Sequence, residues 1–121
     1  MNRYETVAAQ YIQTWNETDA GARRALVEKY WTAEATYTDP LAELAGADAI
    51  SAAIGAVQGQ FAGLVFSLGG VVDGHHDLVR FTWHLGPAGE EPIVVGFDVV
   101  ELDGERIKAV HGFLDKVPAG A

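Results

Sequence analysis

The sequence predicts one α+β domain, with three helices in the N-terminal half packed on one face of a curved antiparallel sheet. Apolar residues recur at helical spacing as far as Phe61, and beyond Gly63 the pattern becomes strand-like, broken by the turn-rich stretches "DGHHD", "GPAGEE" and "DGE". A chain of 121 residues, about half of them apolar, suits a single domain spanning 1–121 with one core, and it contains no repeat or linker.

Tyr4, Val7, Ala8, Tyr11, Ile12 and Trp15 form one unbroken helical face. "NETD" (16–19) then supplies a turn and N-cap candidates for a second helix carrying Ala22, Leu26, Val27 and Tyr30 and ending near Trp31. A short strand over Thr36–Asp39 follows. Asp48 is the expected cap of a third helix, in which Ile50, Ala53, Ile54, Val57 and Phe61 repeat at helical spacing. Strands are expected at Leu64–Asp73, Leu78–Leu85, Pro92–Leu102 and Arg106–Asp115, and the tail "KVPAGA" (116–121) is expected to fray. Helices first and a meander afterwards place the helices on one face of the sheet.

Seventeen acidic residues against eight basic ones give a net charge of −9, which repels phosphate backbones and anionic lipid and argues against nucleic-acid or membrane partners. No run is long enough to span a membrane and the N-terminus lacks a signal-peptide core, so a cytoplasmic location is expected. With no cysteine there is no thiol nucleophile or zinc–thiolate site. Chemistry must come from carboxylates, tyrosines, histidines and hydroxyls. No glycine-rich phosphate loop or ligand cluster suggests a metal, nucleotide or flavin, so no cofactor is expected.

Three polar groups stand where burial is expected. Tyr11 is central on the first helix's apolar face, where an aromatic is either core packing or a hydroxyl delivered to a cavity. Asp39 shares a strand face with Tyr37 and precedes Pro40; it is either a turn residue or a base at a cavity rim. Asp98 interrupts the apolar run "PIVVGFDVVEL". It is either an edge residue facing solvent or a buried carboxyl whose desolvation raises its pKa until, neutral at pH 7, it can donate a hydrogen bond.

Alternation along the second long strand puts Val79, Phe81, Trp83 and Leu85 on one face and Arg80, Thr82 and His84 on the other, and the aromatic set is assigned to the pocket. Trp15, Trp31, Tyr37, Phe61, Phe81 and Trp83 are the candidate pocket lining. His111 either lines the cavity too or lies on the outer face, because one residue of register decides its side. His75 and His76 lie in a turn and point apart, which suits a shared metal poorly. Ser51 and Ser67 lack a nucleophile-elbow context.

Taken together, "QYIQTWNETD", "ATYTDPLA" and "GFDVVELDGERIKAVHGFLD" resemble ketosteroid isomerase, within the nuclear-transport-factor-2-like superfamily that also holds the SnoaL-like polyketide cyclases. The resemblance runs from about Tyr4 to Lys116 and implies a cone-shaped domain, commonly dimeric through the outer sheet face. It places the oxyanion-hole tyrosine on Tyr11, the general base on Asp39 and a second, protonated oxyanion donor on Asp98. Ketosteroid isomerase is itself the known case of a carboxylic acid kept neutral at pH 7, so the raised pKa expected of Asp98 follows a known system.

The resemblance departs at Trp31, where some isomerases carry a supporting tyrosine. The reading is therefore proton transfer next to a carbonyl on a small apolar, aromatic or polycyclic molecule, in a homodimer. The rivals are a SnoaL-like cyclase, which would use the same aspartates, and a non-catalytic ligand-binding dimer. Limonene-epoxide-hydrolase-like chemistry is disfavoured because Arg80 is followed two residues later by Thr82 and not by an aspartate.

Overall fold

A computed structural model describes residues 2–118. Helix α1 (Arg3–Asn16) starts in a capping box: the Asn2 side chain accepts from Glu5 N (2.9 Å), and Glu5 reaches back to Asn2 N (3.0 Å). Helix α2 (Ala20–Tyr30) is capped by Asp19, which accepts from Ala22 N at 2.8 Å. Helix α3 (Ala47–Gln60) departs from expectation. Its N-cap is Gly46 at φ +89°, and Asp48 instead pairs with Arg24 across to α2 (2.7 Å).

The strands are β1 (Trp31–Thr38), β2 (Glu43–Ala45), β3 (Val65–Leu68), β4 (Asp73–His75), β5 (Leu78–Gly86), β6 (Val94–Asp103) and β7 (Arg106–Lys116). They form one seven-stranded sheet in the order β2-β1-β7-β6-β5-β3, with β4 also on β5. The α+β class and the helices on one face are as expected. The sheet is mixed, however, because β1 runs parallel to β7 while the remaining pairings are antiparallel.

The strands differ from the sequence reading in several places. The first strand begins at Trp31, directly from α2, because its first residue already pairs with Ile107. The strand expected over Leu64–Asp73 is interrupted at Gly69 and Gly70 and becomes β3 and β4, both on β5. Three-residue β2, an edge strand, has too few residues to show a period. Register shifts between Val95 and Gly96, between Glu101 and Leu102, and along β1 bend the sheet around the helices.

The core fills the concave side, with Val27, Trp31, Ile54, Val100 and Val110 fully enclosed. Buried Arg23 anchors the far end of α1: it donates to Ser51 O (3.1 Å) and to Gln58 Oε1 (2.9 Å), and Gln58 in turn donates to the carbonyls of Trp15 and Glu17, both at 2.8 Å. Asn16 adds a strand-like pair, exchanging hydrogen bonds with both backbone groups of Phe66. These ties fix the turn of helix that presents Tyr11 and Trp15.

Gly96 lies opposite Trp83 in the β5–β6 pairing, and a Cβ there would overlap the Trp83 indole. Gly96→Ala should therefore displace that ring, changing tryptophan emission and costing roughly 1–3 kcal/mol of stability in urea unfolding. Unchanged emission and stability would contradict this packing.

Candidate active site

Between the helices and the concave sheet lies a cavity of about 160 Å³, walled by Tyr11, Trp15, Tyr37, Phe61, Phe66 and Trp83 together with Leu85, Val94 and Leu114. Asp39, Pro118 and the exposed Leu41 and Val117 line it toward solvent, at its mouth. The tail expected to fray thus contributes its described part to the site: Lys116 ends β7 and the next two residues line the mouth. Residues 119–121 lie outside the described residues.

The position of Asp98 follows from register. Across the sheet Phe81 pairs with Asp98, Asp98 with Gly112, and the neighbouring His111 with Thr38, immediately before Asp39. Gly112 leaves the gap between the two carboxyls. A methyl group at that position would sit 2.9 Å from Asp98 Oδ1 and 3.3 Å from Asp39 Cβ.

Asp98 is 2% exposed, which settles the choice between edge and core. Its Oδ2 accepts from the Tyr11 hydroxyl at 2.6 Å. Burial pushes its pKa up to about 6, opposed by hydrogen bonding from Tyr11 and Trp83 and assisted by the nearby charge of Asp39. The carboxyl stands behind the wall, reached through Tyr11 and Trp83.

Tyr11 is held on three sides: stacked on Trp31 (centroids 5.8 Å, 22°), edge-on to Phe81 (5.2 Å) and beside Trp15 (6.2 Å). Burial first, then Asp98, raises its pKa well above the ordinary tyrosine value. Tyr37 donates to Asp39 Oδ2 at 2.7 Å, and burial followed by the charge of Asp98 raises its pKa in turn.

Asp39 is both of the things its position before proline suggested. Its Oδ1 accepts from Leu41 N (2.8 Å) and Ala42 N (2.9 Å), which closes the turn, while Oδ2 faces Tyr37 at the cavity mouth. The turn fixes the carboxylate as an acceptor beside the opening.

The structure therefore gathers Tyr11, Asp39 and Asp98 at one end of one cavity, walled by Trp15, Tyr37, Phe61 and Trp83. Three expected wall residues, Trp31, Phe81 and His111, are not on the wall. Trp31 is fully enclosed and Phe81 is 1% exposed, and both support Tyr11 from behind.

His111 lies on the outer face, hydrogen-bonded to Glu101 Oε2 at 2.6 Å. The shifted β6–β7 register turns Gly112 inward in its place. Gly112 was missed, although an isolated glycine inside the apolar strand "AVHGFLD" marks a close approach. Among the described residues no Lys, Arg or His lines the cavity, no group of three or more His, Cys, Asp or Glu could hold a metal, and no helix is long and apolar enough to cross a membrane.

The profile of the SnoaL-like domain family matches residues 8–110. The chain is 40% identical to a SnoaL-like family protein from Agrobacterium tumefaciens for which isomerase activity has been suggested, with a TM-score of 0.89 over 95% of this chain and 99% of that one. It shares its fold with a Kribbella flavida protein suggested to be a ketosteroid isomerase (13% identity, TM-score 0.71, 98% and 82% of the two chains). A de novo designed protein with a curved sheet is equally similar in shape (13%, TM-score 0.72, 95% and 88%), so likeness at that level speaks for architecture alone. No curated protein matches the chain.

An acid whose pKa is higher folded than unfolded makes the folded state most stable below the unfolded value, and that contribution is lost as pH rises through the folded one. For Asp98 the loss is on the order of 3 kcal/mol between pH 4 and 7. Asp98→Asn lacks this component, so its stability relative to wild type in urea should rise by that order across the interval. A difference that stays flat with pH would show that Asp98 does not titrate there.

Proposed function

Because the chain belongs to the SnoaL-like domain family, with the ketosteroid-isomerase-like, nuclear-transport-factor-2-like fold, we propose that its cavity transfers a proton next to a carbonyl group. The observation that carries this reading is the buried Tyr11–Asp98 hydrogen bond, with the carboxylate of Asp39 next to it across Gly112. Asp39 Oδ2 takes the α-proton. The oxygen of the developing enolate accepts from the Tyr11 hydroxyl, whose own oxygen accepts from the protonated form of Asp98 behind the wall, and Asp39 returns the proton at another carbon of the conjugated system. Donors fixed in a dry cavity are most effective where charge develops.

The pKa of about 6 at Asp98 sets the pH dependence of this chemistry. In the empty cavity at pH 7 the carboxyl is mostly ionised, and an incoming negative charge favours the protonated form. The second-order rate constant accordingly declines as pH rises above about 6, through loss of a donor in the free protein. Size supports a compact substrate: about 160 Å³ is the scale of a cavity that takes up one benzene ring, which favours a one-ring carbonyl compound over a polycyclic one.

Cyclohex-3-enone is a probe of the right size, and its conversion to the conjugated enone is followed by ultraviolet absorbance. Wild type should accelerate it, Asp39→Asn should lower the rate at least about 10²-fold, and Tyr11→Phe should lower it without abolishing folding. Acceleration that survives Asp39→Asn would sink the reading, and absence of acceleration together with tight phenol binding would favour a ligand-binding protein.

For the second copy expected as a partner, this reading uses the outer sheet face, where Phe113 is 56% exposed and lies opposite Phe97 in the β6–β7 pairing. Sedimentation should show a dimer that Phe113→Glu dissociates. A wild-type monomer at micromolar concentration would contradict it.

A further inference from the structure

Where α1 and α3 end, a second hollow of about 250 Å³ adjoins the cavity. Trp15, Val57, Phe61, Phe66 and Leu85 line both, so one layer of side chains divides them. The amides on the wall of the hollow already have partners. Asn16 exchanges hydrogen bonds with both backbone groups of Phe66, and Gln58 donates to the carbonyls of Trp15 and Glu17 while accepting from Arg23. Among the described residues no charged side chain lines the hollow. The apolar surface of Val57, Phe61, Leu64 and Val65 is left facing water, and hydrocarbon laid against it gains by displacing that water.

The dividing layer is uneven. Trp15, Phe66 and Leu85 are buried, with Phe66 packed between Trp15 (centroids 5.2 Å) and Trp83 (5.6 Å). Phe61 is the partly buried aromatic of the layer, one residue past the end of α3. Its backbone is fixed, since its N–H donates to Val57 O (3.0 Å) and its carbonyl accepts from Leu64 N (3.1 Å). Rotation of the Phe61 side chain alone therefore opens the layer, without any movement of the helix.

We propose that the hollow is a second subsite of the same binding site: it takes an unbranched alkyl chain carried by the ring in the cavity, admitted where Phe61 turns aside. This deepens the proton-transfer reading and rests on it for the carbonyl group at the Tyr11 end. Tyr11, Tyr37 and Asp39 line the cavity and not the hollow, so the chain leaves on the side away from the reacting groups. The substrate class becomes a one-ring carbonyl compound with an apolar chain remote from its carbonyl.

Phenol, 4-propylphenol and 4-hexylphenol are probes of increasing reach. Affinity by calorimetry should rise about three- to fourfold per methylene up to hexyl, as each carbon leaves water. Leu64 lines the hollow and not the cavity, so its methyl signals, identified by their loss in Leu64→Asn, should move with 4-hexylphenol and stay in place with phenol. Leu64→Asn should weaken 4-hexylphenol binding about tenfold and phenol binding no more than about twofold. The competing path for the chain is the mouth, where Leu41 is 84% exposed. Affinity that levels off at propyl, or 4-hexylphenol binding that falls with Leu41→Asn and leaves the Leu64 methyls unmoved, overturns the proposal. The wild-type spectrum decides the matter even where Leu64→Asn folds poorly.

This proposal and the proton-transfer reading fail separately. Enone conversion that depends on Asp39, in a protein whose Leu64 methyls ignore 4-hexylphenol, removes the subsite and leaves the reaction standing. Leu64 methyls that move with 4-hexylphenol, in a protein whose enone conversion ignores Asp39, keep the subsite and remove the reaction. If none of the three phenols binds, the subsite is overturned.

Discussion

The hydrogen bond from Tyr11 to Asp98 is 2.6 Å long and closed to solvent, and much of the architecture around it serves to make it possible. A carboxyl at 2% exposure is expensive to ionise unless donors compensate for the lost water. Here the hydrogen bond comes from Tyr11 on α1, and Trp83 on β5 also favours the ionised form, so groups from two elements act on one carboxyl. Trp31 and Phe81 hold the phenol ring in that position, and the Arg23–Gln58 ties fix the end of the helix that carries it. Compensation is incomplete, which is why the carboxyl titrates high instead of low.

Two glycines give this arrangement its shape. Gly112 separates Asp98 from Asp39 by one strand with no side chain between them, so the two carboxyls feel one another while only Asp39 reaches the mouth. Gly96 lets the Trp83 indole lie against the sheet, where it walls the cavity and meets Asp98. The result is two chemically identical groups in different surroundings. Asp39 is fixed by its turn as an acceptor beside the opening, the place the proposed reaction needs for its base; Asp98, desolvated behind the aromatic wall, keeps its proton to a higher pH than an ordinary aspartate. A carboxyl shifted by desolvation beside a cavity is a recognised pointer to a functional site.

The sequence reveals the parts of this arrangement that depend on local pattern. The helical face from Tyr4 to Trp15, the alternation from Val79 to Leu85 and the apolar setting of Asp98 each report burial directly, and all three hold in the structure. What depends on register is not legible in the same way. His111 and Gly112 exchange faces through a shift between Glu101 and Leu102, and no residue type announces that shift. Trp31 and Phe81 show their burial but not whether they touch the cavity or support a residue that does. The cap of α3 misleads for a different reason, since Asp48 finds Arg24 on a neighbouring helix and a glycine at positive φ takes the capping position. Val117 and Pro118 carry no periodic signal and acquire a place only because β7 ends at the cavity mouth.

Membership of the SnoaL-like family supplies the fold, and the carboxyl–phenol pair gives this cavity its chemical character. That character rests on a buried aspartic acid that exchanges its proton near neutrality. Carbon-13 NMR of a sample labelled at aspartate carboxyls, with the Asp98 signal identified by its loss in Asp98→Asn, follows that proton directly. A midpoint at about 6, well above the ordinary aspartate value, is the predicted result. A midpoint at about 4 would mean that the group is ionised and well solvated whenever the protein is folded, and the account of the cavity as a proton-transfer site would be wrong.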